Sequence, residues 1–266
     1  MFILDPVNAV TSIQFYKKVA AQSFQRSAGY LLYLAALFTL ASVVFAWARI
    51  TPPFVEFMGW LAKTVPPITF SDGKVTSATD TPYVVRHPSH PDLGFMIDTT
   101  RTEPVTPQMM EENKVRIYLT GNAMYMINRP GRVEVNDLSK SKGPPVEIGP
   151  QFFREFARIF PIVLYALSAV FAFIGFLIWK TFSTLLYWLV ASLLNTSMNA
   201  GLSPQPLASV AVYSQTLPAV LFIIMMFMPG GLGAGTVLLA GFAITTAYMA
   251  LALSAARKEP ATPPAQ

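Results

Sequence analysis

Cysteine is absent from the 266 residues, and histidine occurs only twice. The first absence excludes disulfides, thiolate catalysis and Cys-ligated metal; the second leaves little for a His-based site. Charge is scarce as well, at 12% against about 25% in soluble domains. With 53% hydrophobic residues and a mean hydropathy of +0.46, the chain reads as a membrane protein whose first partner is the lipid bilayer. The net charge of +5 does not point to nucleic acid, because the basic residues are scattered; positive charge on one side of a membrane accounts for it.

A helix crossing about 30 Å of hydrocarbon needs roughly 20 apolar residues. Residues 29–50 supply the first such run, with no charge before Arg49. Ala46-Trp47-Ala48 resembles a signal-peptidase site, but the nearly thirty residues ahead of the run favour a retained span. Ahead of it, 1–28 reads as a cytoplasmic amphipathic helix: Asp5-Pro6 as N-cap and N1 proline, with Ile13, Tyr16, Ala20 and Phe24 opposite Lys17, Lys18, Gln22 and Arg26. Residues 207–229 and 237–256 form two further spans around a Gly-rich turn at 230–236, and 257–266 reads as a disordered tail.

The long apolar stretch Phe160 to Asn195 is settled by parity. Lys17, Lys18 and Arg26 ask for one side of the membrane, and Arg257 and Lys258 ask for the same side, so the number of crossings is even. Residues 159–180 then cross once, with Lys180 at the inner boundary. Residues 181–206 form a cytoplasmic-side amphipathic extension and loop, either bending into the headgroup layer or packing on its neighbours. A two-crossing hairpin turning at Lys180-Thr181 is the alternative, disfavoured because neither Gly nor Pro is there.

Residues 51–158 carry most of the charge and read as an extracytoplasmic α+β domain, mainly antiparallel. Asp72-Gly73, Gly121-Asn122 and Pro130-Gly131 mark turns between alternating segments, and Thr106-Pro107 starts a short helix. Phe152, Phe153, Phe156, Ile159 and Phe160 give the helix entering the second span an apolar face. The expected architecture is thus an α-helical multi-pass membrane protein of four spans, N-in/C-in, with this domain inserted between spans one and two.

Candidate chemistry is thin. Asp98-Thr99-Thr100 lacks the glycine of an aspartic-protease motif and has no second copy, so Asp98 reads as a structural strand end bonding the amides of the next turn. His87 and His90 are separated by prolines that forbid the helix needed to aim both at a metal. Catalytic residues, cofactors and metal are therefore expected to be none, a membrane hydrolase with Asp98 as its best residue being the remaining alternative. The polar residues of the third span carry more. Tyr213, Ser214 and Gln215 precede Pro218, which kinks the helix and frees a backbone carbonyl. They either re-satisfy that backbone and glue helices together or, with Asn195, line a groove for lipid, peptide or partner. Without an ionisable group evident at depth, an ion-coupled transporter is disfavoured.

The order of parts, with "PITFSDGKVTS" at Pro67 to Ser77, "FMIDTT" at Phe95 to Thr100 and "VAVYSQTLPAVL" around Tyr213 and Pro218, resembles the bacterial domain-of-unknown-function family 1189 over nearly the whole chain. The last element is also similar, more distantly, to Yip-type membrane proteins. The closer resemblance implies a multi-pass bacterial inner-membrane protein, and the position of some relatives near sugar-uptake genes implies an accessory role. The expected function is a non-enzymatic scaffold, assembly factor or accessory subunit binding another membrane protein, with a homo-oligomer compatible. The alternative is a lipid-handling or small-solute transport component using a groove at the kinked third span.

Overall fold

Four helices are long and apolar enough to cross a membrane: Phe24–Thr64, Pro150–Ser197, Pro204–Phe227 and Gly235–Ala256. They belong to a computed structural model that describes residues 3–89, 94–129, 132–228, 230 and 233–257. The chain divides into a helical unit, Met1–Ile50 with Val163–Gln266, and a second unit, Thr51–Ile162.

The chain opens with α1 (Asp5–Thr11), α2 (Phe15–Ala21) and α3 (Phe24–Phe45), which passes through one π-helical turn at Ala46–Ile50 into α4 (Thr51–Thr64). The apolar stripe expected across the first 28 residues is not continuous. Breaks at Ser12–Gln14 and Gln22–Ser23 reset the helical period, so Ala9, Tyr16 and Val19 are buried while Ile13 and Phe24 face outwards. Asp5 is not the N-cap, which falls on Leu4; its carboxylate turns inwards, 3.7 Å from Arg26.

In the second unit, β1 (Ile68–Ser71) and β2 (Lys74–Ser77) form a hairpin through Asp72 and Gly73, both at positive φ. That is the turn whose backbone twist matches antiparallel strands. Next come β3 (Tyr83–Arg86), β4 (Gly94–Asp98), α5 (Pro107–Glu112), β5 (Ile117–Thr120), β6 (Ala123–Arg129), β7 (Arg132–Asp137) and β8 (Val146–Ile148). One sheet has the order β2-β1-β8 and the other β3-β4-β5-β6-β7. All pairs are antiparallel except β4 with β5, which are parallel because α5 carries the chain back across the sheet. Thr106 caps α5, its hydroxyl accepting from the Met109 amide. Side-chain alternation along β4 sends Met96 into a cluster with Met110 and Tyr118, and Ile97 into another with Leu61, Val75 and Leu119. The turn expected at Pro130-Gly131 lies outside the described residues.

Beyond β8, α6 (Pro150–Ser197) runs for 48 residues, about 72 Å at 1.5 Å per residue. Its first turns belong to the second unit, where Phe54 packs on Phe156 and Phe160. Pro161 does not end it, and no break separates 159–180 from the residues beyond Lys180. Thereafter α7 (Pro204–Ser214), α8 (Thr216–Phe227) and α9 (Ala234–Ala256) complete the helical unit. The tail read as disordered lies, after Arg257, outside the described residues.

Contacts fix the helix directions within this unit. Along α3, Ser27, Tyr30, Phe38 and Phe45 meet Ser209, Thr216, Phe222 and Phe227 in ascending order, so α3 runs parallel to α7 and α8. Along α6, Trp179, Thr184 and Trp188 meet Phe222, Gln215 and Pro204 in descending order, so α6 runs the opposite way. Lys180, expected at the inner boundary, therefore lies level with α8. The stripes on α6 have the reverse sense to a soluble helix: Phe182, Leu185, Leu186, Leu189 and Leu193 are exposed, whereas Lys180, Tyr187 and Ala191 are buried. An apolar exterior around a polar seam is the arrangement a hydrocarbon solvent selects.

Candidate functional site in the helical unit

Pro218 has no N–H to donate, and the helix yields before reaching it: α7 ends at Ser214 and α8 begins at Thr216. The third span, read as one kinked helix over 207–229, is two helices broken at Gln215. Side chains then take over what the backbone gives up. The Thr216 hydroxyl donates to the Tyr213 carbonyl at 2.6 Å. The Gln215 amide donates to the Ala211 carbonyl and to Thr184 Oγ1 on α6, each at 3.0 Å. These bonds satisfy carbonyls at the break and tie three segments together.

Around the break lies a polar core. Tyr30 OH meets Thr216 Oγ1 at 2.8 Å. Since the single Thr216 proton is committed to Tyr213, Tyr30 is the donor. The Tyr30 and Tyr213 rings stack with centroids 3.9 Å apart. Ser27 donates to Ser209 at 2.8 Å. From the N-terminal side, α2 supplies Tyr16, whose hydroxyl donates to the Ala9 carbonyl, and Tyr248 of α9 donates to the Val10 carbonyl. Burial pushes the Tyr16 phenol above its ordinary range, so it stays a neutral donor. The Asp5 carboxylate and Arg26 complete this side.

Tyr213, Ser214 and Gln215 are thus brought together, each at most 1% exposed; they are packed between helices and do not line an open groove. Pro218 is half-buried, with Gly241 of α9 beside its ring. Asn195 stands elsewhere: its side chain accepts from the Leu202 amide and donates to the Leu202 carbonyl, closing the turn between α6 and α7. The burial of two charged residues of the helical unit escaped the sequence reading. Asp5 is 5% exposed and Lys180 4% exposed; both are covered by the packing of the helical unit. Asp5 sat in a segment read as surface helix. Lys180 had a visible signal, since apolar residues continue on both sides with no turn between them.

In the second unit, Asp98 accepts from the Thr100 hydroxyl at 2.9 Å and from the Tyr118 hydroxyl at 3.1 Å. Its bonds are to side chains, a correction to the expected capping of the next turn's amides. Burial and the adjacent Asp98 carboxylate raise the Tyr118 phenol. Thr99 Oγ1 pairs with Thr81 Oγ1 at 3.4 Å. His87 accepts from the Ser89 amide and lies edge-on to Trp60; His90 lies outside the described residues. Among the described residues no group of three or more His, Cys, Asp or Glu is placed to hold a metal ion.

With this geometry in place, comparison with known families finds a match over residues 7–253 to the family described as protein of unknown function (DUF1189). The chain belongs to the DUF1189 family. The match takes in both sheets and the broken third span of this DUF1189 protein, whereas Asp5 lies ahead of it. No curated protein and no solved structure matches it, and no comparison extends the likeness to Yip-type proteins.

Proposed function

We propose that this DUF1189 protein is a non-enzymatic scaffold, assembly factor or accessory subunit that binds another membrane protein in the bacterial inner membrane. Both chain ends are cytoplasmic in this reading, and residues 51–158 lie outside. The observation that carries it is the closure of the kink: the side chains that could have lined a groove are committed to holding helices together. What the helical unit offers to its surroundings is apolar, from Phe171 to Leu193 on α6. Lys17 and Lys18 project outwards from α2, which packs beside α9, consistent with a shared cytoplasmic side.

Photo-crosslinkers at Phe182, Leu193 and, on the sheet, Val135 test the partner, followed by purification in mild detergent. A single membrane protein recurring at these positions and co-purifying supports the reading; clean isolation as a lone species across several detergents refutes it. Because the chain has no cysteine, single cysteines at Lys17, Asp72 and Arg257 report sidedness directly. Impermeant maleimide added to intact cells should label only the second of the three.

A second reading, a lipid-handling or small-solute component, draws on the buried ammonium of Lys180 beside the broken span. Photo-crosslinkers at Tyr213 or Gln215 that capture lipid would favour it.

A further inference from the structure

The chain ahead of α3 does not stay at one end of the helical unit; it climbs the unit's side. The Phe15 ring at the start of α2 lies 5.8 Å from that of Tyr213 at the end of α7, and just past the end of α2 the Gln22 carbonyl accepts from Gln205 near the start of α7 at 3.4 Å. Thus α2 runs antiparallel to α7. Since α3 then ascends beside α7 from Ser27 on Ser209, α2 and α3 form a helical hairpin that turns at Gln22 and Ser23. Upstream of α2, α1 packs on both α7 and α8, which meet at the break. Its Asp5 carboxylate faces inwards, 3.7 Å from Arg26, and the Val10 carbonyl accepts from Tyr248 of α9.

These contacts put α1 level with the middle of a membrane-length segment. Pro204–Phe227 has 24 residues, about 36 Å at 1.5 Å per residue, and the hydrocarbon layer takes about 30 Å of it. A span with so little excess keeps its middle, where Gln215 stands, near the middle of the bilayer. The outward side chains of α1 and its approach are apolar: Ile3, Leu4 and Val7 are each more than half exposed. The exposed hydroxyl of this helix, on Thr11, donates to the Val7 carbonyl at 2.8 Å and so asks nothing of its surroundings. A segment packed on protein under water shows the reverse pattern, apolar inwards and polar outwards. On α2, nearer the turn at Gln22, Lys17 and Lys18 are exposed; their long stems can carry the ammonium groups out to headgroups.

We infer that residues 3–21 form a re-entrant element, inserted into one leaflet beside the third span, with Ile3, Leu4 and Val7 against lipid acyl chains and Lys17 and Lys18 at the headgroups of that leaflet. What covers the exposed face of α1 is lipid, and the first helices do not lie along the membrane surface. Because α1 and α2 reach only to the level of the break, they widen the helical unit in one leaflet and displace lipid there alone. Such an element needs α7 and α8 to cross the bilayer but needs no protein partner.

The test uses the full chain in phosphatidylcholine nanodiscs with no other protein present. Because the sequence has no cysteine, single nitroxides can be attached through Val7→Cys and Lys17→Cys, with Phe182→Cys on the exposed face of α6 and Asp72→Cys in the sheet hairpin as references. The ratio of collisions with oxygen to collisions with a water-soluble nickel chelate reads depth. The Val7 label should match the Phe182 label and favour oxygen several-fold more than the Lys17 label, which should fall between Phe182 and Asp72. On the unmodified chain, a phospholipid carrying a diazirine near its acyl terminus should leave adducts on residues 3–7, a readout that needs no variant. A Val7 label as open to the nickel chelate as the Lys17 label overturns the insertion and returns α1 to the surface. A Val7 label closed to both reagents overturns it too, by giving the face to a second copy of the chain, and so do acyl adducts on α6 with none on residues 3–7. Failure of the partner crosslinks at Phe182 and Leu193 would leave all these outcomes unchanged, so re-entry and partner binding fail separately.

Discussion

The hydrogen bond between Tyr30 and Thr216 is the sharpest test of the helical core, because its direction is fixed. Thr216 donates to the Tyr213 carbonyl and accepts from Tyr30, and both side chains are fully buried. Tyr30→Phe removes one donor but keeps the ring stacked on Tyr213 and leaves the bond across the helix break intact. Interhelical hydrogen bonds in membranes average about 0.6 kcal/mol and reach about 1.7, which sets the expected cost. Thr216→Val keeps the shape but strips the Tyr213 carbonyl of its side-chain donor and removes the Thr216 acceptor of the Tyr30 hydroxyl. Its expected cost is larger, about 1–3 kcal/mol. In the Thr216→Val background, Tyr30→Phe should then cost less than in the unmodified protein, since the bond it removes is already gone. A double-mutant cycle measured by steric trapping in bicelles reads these terms. Simple additivity, or Tyr30→Phe costing more than Thr216→Val, would refute the assignment of donor and acceptor.

Other predictions concern the sheet unit and the α6–α7 turn. Gly73 has φ +77°, and a Cβ there would stand 2.4 Å from the Ser139 carbonyl oxygen. Gly73→Ala should therefore cost more than the ~1–2 kcal/mol of left-handed strain alone, seen as faster proteolysis of residues 51–162 in the intact chain. Asp98→Ala leaves the Tyr118 and Thr100 hydroxyls without their acceptor and should destabilise the same unit by about 1–3 kcal/mol in denaturant melts. The raised Tyr118 phenol favours the neutral form in the folded state, so its contribution is complete below the unfolded value near pH 10 and is lost as pH rises through the folded value. Thermal midpoints should fall in that alkaline window, and the part due to this group should vanish in Tyr118→Phe. Asn195→Ala should release the turn at Leu202, costing about 1–2 kcal/mol for two lost bonds and speeding amide exchange at Leu202.

The sequence by itself determined what solvent alone dictates. Long apolar runs specify membrane-length helices, and Asp72-Gly73 specifies a hairpin, because hydrocarbon length and positive φ are local demands. Pro218 announced a break, although the turn it forced fell three residues earlier, at Gln215, where side chains could replace the missing donors. Only tertiary structure decided the rest. The parallel pairing of β4 with β5, the inward turn of Asp5, the burial of Lys180 and the separation of Asn195 from Tyr213 depend on which helices and strands become neighbours. A side chain's burial is a property of what packs over it, and in a membrane, where outward faces are apolar too, hydrophobic patterning does not say which face that will be.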